Sequence, residues 1–196
     1  MNIMASSPCI ETLRSAVTRA QHPGPPPQGQ YRPAAVMGLF LFNAHPSLLF
    51  IQKADVEGYP WRNQMAFPGG HKDDTDPDRR ETALRELEEE MGIRPENVDV
   101  LGPIGHYQTI NNRDIKAFVG VWNQRDTIEF DPTEISRTLK IPLDHLMHQH
   151  RSRGYAGRTP DIMELTYPFE DVVVWGVTAK IIHHLLEVIP KDLVPE

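Results

Sequence analysis

The chain has 196 residues, 39% of them hydrophobic, which suits one globular domain around a single core. Its formal charge of −7 argues against a nucleic-acid backbone as main partner, while a nucleotide whose phosphates meet a metal stays compatible. One cysteine, Cys9, excludes an intramolecular disulfide framework and fits a reducing, cytoplasmic compartment; no apolar run reaches the ~20 residues of a membrane span, and no signal peptide is evident.

Residues 1–31 read as an N-terminal helix and a Pro-rich linker. Ser6/Ser7-Pro8 marks a helix start, Ile10, Leu13 and Val17 follow at helical spacing, and the helix ends near Gln21. His22 to Gln30 is a stiff, extended segment of polyproline character. Residues 32–190 form the main domain, followed by a tail over 191–196. Ala34–Phe42 is apolar enough for a buried strand, residues 43–47 turn the chain, and Leu48–Lys53 is its hairpin partner. A loop over 55–61 leads to a short strand, Asn63–Phe67, which delivers a turn at Pro68-Gly69-Gly70. After a Glu-rich helix, Val98–Gln108 and Ile115–Trp122 are strands joined by an Asn-rich turn.

Thr127–Phe130 reads as a further strand, Glu134–Leu139 as a brief helical piece and Pro142–Met147 as a short helix. His148–Thr159, polar with glycines and arginines, reads as a mobile loop. Ile162–Tyr167 and Val172–Val174 are apolar, and Trp175–Ile189 closes the domain as a helix that Pro190 stops. Strands around two principal helices indicate an α+β domain.

The Glu-rich helix carries the chemistry. Residues three and four apart share a helix face, so Glu86 stands beside Glu89 and Glu90, while Leu84, Leu87 and Met91 form an apolar stripe. Like charges at that spacing cost a few tenths of a kcal/mol per pair, roughly, and the last turn disfavours anions. An offsetting cation resolves the conflict: carboxylates beside a bent Gly-Gly backbone make an oxygen-rich site for Mg2+ or Mn2+. The competing reading is a solvated acidic helix balanced by Arg79, Arg80 and Arg85. At its start, Asp76 reads either as the partner of Arg85 or, in slight preference, as the N-cap with Pro77 in the first helical position, and Gly92 with Pro95 ends it.

Arg85-Glu86-Leu87-x-Glu89-Glu90-x-Gly92-Ile93 resembles the second half of the Nudix box, G-x5-E-x7-R-E-U-x-E-E-x-G-U, at every specified position. The first half departs, with Asp76 in place of Glu and eight residues rather than seven before Arg85. That insertion, with F-P-G-G before it and T-A-L-R-E after it, resembles the coenzyme A diphosphatase branch of the family. The branch's upstream R-x3-G-x3-F-P-G-G is missing, since its first two positions hold Tyr59 and Asn63.

The resemblance spans about Pro33 to Ile189 and implies an α/β/α sandwich around a mixed β-sheet. It implies that Glu86, Glu89 and Glu90, with the Gly70 carbonyl, hold divalent ions on a substrate diphosphate, and that water attacks phosphorus. Arg85 would orient a ligand. The general base would be Glu89 or another of these glutamates, or Glu134, with Glu164 and Glu170 as further candidates. Trp61 is a candidate to stack on a base, and Arg62, Lys72 and Arg113 to contact phosphates. The expected partner is a small nucleotide-type diphosphate, with no nucleic-acid duplex and no membrane; a homodimer is left open.

The leading function is metal-dependent hydrolysis of the diphosphate in coenzyme A or acyl-CoA, ADP-ribose, a nucleotide sugar or a similar molecule. The alternative is a non-catalytic Nudix domain that binds a nucleotide or a protein. Prenyl-diphosphate isomerisation would need a catalytic cysteine, and Cys9 lies outside the matching region. His71 follows Gly70 and so lies near the site in sequence; the other eight histidines show no trustworthy metal-ligand spacing, and no zinc is expected.

Overall fold

The computed structural model describes residues 8–58, 61–190 and 193, so the helix-start reading at Ser6/Ser7, the Tyr59 position and most of the tail lie outside the described residues. The helices are α1 (Pro8–Arg19), α2 (Arg79–Met91), α3 (Leu143–Ser152) and α4 (Gly176–Val188). The central strands are β1 (Arg32–Leu41), β2 (Ser47–Lys53), β3 (Met65–Ala66), β4 (Gly69–His71), β5 (Val98–Gln108), β6 (Arg113–Trp122) and β7 (Ile135–Pro142). A small hairpin of β8 (Tyr167–Phe169) and β9 (Val172–Val174) forms a second sheet whose Tyr167, Val172 and Val174 join the core.

Successive side chains of a strand point to opposite faces, and β1 and β2 are apolar on both. Ala35, Met37, Leu39 and Leu41 of β1, with Leu49 and Ile51 of β2, pack with Leu84, Leu87 and Met91 of α2. Phe40, Leu48 and Phe50 face the other way, into a core shared with α1, α3 and α4. The sheet is therefore buried between two helical layers. The strand order is β3-β2-β1-β6-β5, with β4 added on β1 and β7 on β2. β1 and β6 run parallel and the other pairs antiparallel, so the sheet is mixed and the fold is the expected α+β sandwich.

Four expectations change. Glu134–Leu139 is not helical: Ile135–Pro142 pairs along β2, with Ile135, Leu139 and Ile141 buried at even spacing. Thr127–Phe130 forms no strand; Ile128 and Phe130 pack on the α2 core while the Glu129 amide donates to the Met91 carbonyl (3.1 Å). The strand expected over Asn63–Phe67 shortens to Met65–Ala66, because the chain leaves β2 and crosses to β1, where Gly69–His71 forms a strand of its own. The loop expected over 148–159 is half helix, and the remainder is tied down through buried Tyr155, whose hydroxyl donates to the Glu164 carbonyl (2.7 Å). The Pro-rich linker is also docked at its start: His22 Nδ1 lies 2.8 Å from His184 Nε2, and the His106 amide donates to the Pro23 carbonyl (2.9 Å).

The tightest backbone approach is at β4. Gly69 has φ +145°, and a Cβ there would lie 2.2 Å from the Ala35 carbonyl oxygen and 2.6 Å from Val36 Cα. Neither is a flexible side-chain end, so the strand itself would have to move. Gly69→Ala is therefore expected to destabilise the fold by about 2–4 kcal/mol in urea unfolding, whereas Gly24→Ala, with open space around it, should be near neutral.

Candidate metal and catalytic site

Helix α2 starts two residues later than the sequence suggests. Asp78 is the N-cap, accepting from the Arg80 amide (2.7 Å) and the Glu81 amide (3.0 Å). Asp76 is thereby released and pairs with Arg85, whose Nε and Nη2 donate to its two carboxylate oxygens at 3.0 and 3.1 Å. The Asp73 amide also donates to it at 2.9 Å. The extra residue falls between Asp76 and Arg85, where Pro77 and Asp78 lead into the helix. Gly92 closes α2 in the left-handed conformation, φ +67°, as expected.

Arg85 is the hub of the site. Besides Asp76 it donates to the His71 carbonyl (3.0 Å) and pairs with Glu86 (2.9 Å) and Glu89 (2.6 Å), but not with Glu88 among the contacts of the described residues. The hydrogen bonds from Arg85 hold the Asp76 carboxyl far below the usual carboxylate range, and the same bonds push the guanidinium up.

The three glutamates take different places. Glu86 is half-buried against β4, where a Cβ on Gly70 would lie 2.5 Å from its Cδ. Burial raises its pKa; Arg85 opposes that shift, and Glu90 and Glu89 add to it. Glu90 is nearly enclosed, with one oxygen 2.8 Å from Lys53 Nζ and the other accepting from the Gly69 amide at 2.9 Å. Glu89 is exposed and turned to Arg85. The carboxylates thus line one side of the Gly-Gly strand without closing on one point, for among the described residues the group whose three ligand atoms lie within 4.8 Å of one another is elsewhere, at His150, His183 and Glu187. As a donor set, half-buried carboxylate oxygens beside a backbone that leaves no room for a Cβ fit a hard divalent ion.

The outlying candidates scatter. Glu134 is exposed and unpaired among the described residues, and its carbonyl accepts from the Ala54 amide (2.9 Å), one residue from the lysine that holds Glu90. Glu164 is paired with Arg158 on the opposite face of the sheet, and Glu170 sits at the tip of the β8–β9 hairpin with φ +51°. Trp61 and Arg62 lie in the loop after β2; among the described residues Arg62 meets only Asp55, at 3.9 Å. Lys72 is committed to the loop, donating to the Asp76 carbonyl at 2.7 Å. Arg113 pairs in register with Arg32 beside the end of β4, and burial, then these two cations, lower the pKa of His71. The sequence reading missed Lys53 as the partner of Glu90; a lysine closing an apolar strand was its signal.

The NUDIX domain family model matches residues 31–162. The chain belongs to the Nudix family. The "uncharacterized Nudix hydrolase NudL" of Pectobacterium atrosepticum is 32% identical over 194 residues, covering 91% of this chain and 95% of that protein. Among solved structures, DR0079 from Deinococcus radiodurans superimposes with TM-score 0.53 at 14% identity, covering 82% of this chain and 87% of that one. A MutT/nudix family protein from Enterococcus faecalis gives 0.52 at 16% identity, with 93% and 69% covered. This Nudix chain is thus a hydrolase of phosphorus anhydrides, from a family that hydrolyses nucleoside diphosphate derivatives with divalent ions. No helix among its described residues is long and apolar enough to cross a membrane.

A carboxyl with a depressed folded-state pKa contributes stability that is present above its unfolded value and lost as pH falls. Asp76→Asn should therefore unfold at lower urea than wild type at pH 7, by about 1–3 kcal/mol for a broken charged hydrogen-bond pair. The gap should narrow as pH drops below about 4, where unfolded Asp takes up its proton. Unfolding curves at pH 7, 5 and 3.5 check this, and a constant gap would remove the ion pair as its cause.

Proposed function

We propose that this Nudix hydrolase uses Mg2+ or Mn2+, held by Glu86, Glu89, Glu90 and the Gly70 carbonyl, to hydrolyse the diphosphate linkage of a nucleoside diphosphate derivative. The observation that carries the reading is the fit of Glu86 and Glu90 to the Gly69-Gly70 strand. One carboxylate fills the place of the missing Cβ and the other takes the neighbouring amide. When bound, the divalent ion supplies neutralisation of phosphate charge and acidification of water.

The chain's own residues do the positioning. Asp76 fixes the Arg85 fork, and Arg85 fixes Glu86 and the end of β4. A guanidinium bonded to Asp76, His71, Glu86 and Glu89 has little left for substrate, so Arg85 orients the carboxylates. Glu90 is anchored by the Gly69 amide whether or not Lys53 yields to an ion. Glu134, exposed and without a partner among the described residues, is retained as general base beside Glu89. Arg113, close to His71, suits the phosphate farther from the glutamates, and Trp61 with Arg62 the nucleoside side. Lys72 serves the loop instead. The candidate substrates are coenzyme A or acyl-CoA, ADP-ribose and nucleotide sugars; the F-P-G-G and T-A-L-R-E segments favour the first, and the missing upstream arginine keeps the others in the set.

Purified protein with Mg2+ or Mn2+, screened against these compounds, dinucleoside polyphosphates and nucleoside triphosphates, should release phosphorylated products from one class in preference. In that assay Glu90→Gln should lower kcat by about 100-fold or more while circular dichroism stays native. Glu134→Gln should lower kcat with KM unchanged. Substantial turnover in Glu90→Gln would remove the ligand assignment, and no hydrolysis of any compound would favour a binding role.

A further inference from the structure

The helical layer opposite α2 contains a second constellation that diphosphate hydrolysis does not use. His183 and Glu187 are four residues apart on α4 and share one face. His150, near the end of α3, is 2% exposed and points at them. One ligand atom from each of the three lies within 4.8 Å of the others.

The local bonding fixes this group from outside. His150 Nδ1 is 2.9 Å from the buried Tyr167 hydroxyl, and Nε2 is 2.6 Å from Glu187 Oε1. The Gly157 amide donates to both Glu187 oxygens, at 3.1 and 3.2 Å. The His150 and His183 rings are 5.0 Å apart and tilted by 59°. Among the described residues the one hydrogen bond of His183 is long, 3.3 Å from Nε2 to the Tyr155 carbonyl, so its ring is only lightly held. A buried histidine satisfied by a tyrosine and a glutamate would account for His150 alone. It does not account for a second imidazole converging on the same group.

A second observation points outward. Glu187 and His183 line a cavity of about 650 Å³ between α4, the end of β5 and the 157–165 segment, together with His106, Lys180 and Arg158. A ligand set of two imidazoles and one carboxylate, with a remaining position open to a cavity, is that of a zinc-type ion and differs from the all-oxygen set on α2. The Tyr167 hydroxyl on His150 Nδ1 is the kind of outer partner that orients a ligating imidazole. Tetrahedral ligands at about 2.0–2.1 Å from zinc stand roughly 3.4 Å apart. The His150–Glu187 pair would open slightly and the His183 ring would turn in.

We propose that His150, His183 and Glu187 form a binding site for a zinc-type transition-metal dication, with its open coordination position facing the cavity beside α4. Such an ion ties α3 and α4 together and stabilises the folded chain by an amount that grows with the logarithm of its concentration above Kd.

The test uses the full chain, stripped with chelator and titrated with Co2+, then Zn2+. One equivalent of Co2+ should give the intense visible band of a tetrahedral site, and Zn2+ should bleach it. Carboxylate sites on α2 give only the weak octahedral spectrum, so this readout is independent of hydrolysis. His183→Ala and Glu187→Gln should each weaken Co2+ binding by more than about 100-fold. Cys9→Ser and His184→Ala should keep the band. Should a variant fail to fold, zinc-edge X-ray absorption of the wild-type protein decides, with two imidazole ligands expected. No saturable cobalt band, a band that survives in His183→Ala, or a zinc shell without imidazole would overturn the site.

Discussion

Everything on the α2 side depends on how closely β4 lies on β1. Gly69 and Gly70 have no Cβ, and the two missing atoms are claimed by different neighbours: one by the backbone of Ala35 and Val36, the other by the carboxylate of Glu86. Two glycines therefore set the distance between the sheet and the acidic helix. With any larger residue the glutamates would stand off the strand, and Glu90 would lose the Gly69 amide. A steric constraint on the backbone becomes an electrostatic arrangement of side chains.

That arrangement is costly by itself. Glu86 is half-buried and has two carboxylate neighbours, and burial makes its charge unfavourable. Arg85 and Lys53 offset part of this, but both are held by other duties. Arg85 is spread over Asp76, His71, Glu86 and Glu89, and Lys53 meets one oxygen of Glu90. The remaining imbalance is what a divalent ion on a diphosphate would relieve, and it gives a physical reason for a strained acidic face in a protein that already has net charge −7.

The two faces of the sheet carry different donor chemistry. Carboxylates gather on α2, whereas two imidazoles and one carboxylate meet between α3 and α4. Hard and borderline cations sort between such sets by ligand type rather than by affinity alone, so two metals could occupy one small domain without competing. The α3–α4 group also lies beside the segment that follows α1: His22 touches His184, the neighbour of His183.

The repeating patterns were legible in the residues themselves. The continuous apolar runs of β1 and β2, the Pro190 stop of α4, the Gly92 stop and the Glu86-Glu89-Glu90 face each follow from local geometry, and the box motif added the family. Where two local signals competed, sequence alone chose wrongly. Asp76-Pro77 and Asp78 are both acceptable helix starts, and only the reach of Arg85 across the 72–77 loop decides that Asp78 caps and Asp76 pairs. Residues 135–142 set Ile135, Leu139 and Ile141 at even spacing among polar neighbours, a short pattern that pairing along the edge of β2 makes a strand. His150, His183 and Glu187 carry no linear motif, since one residue comes from a helix 33 positions before the next, counting from 150 to 183; packing of α3 on α4 brings them together. Local periodicity is written along the chain, whereas partners chosen by distance exist only once the layers have closed.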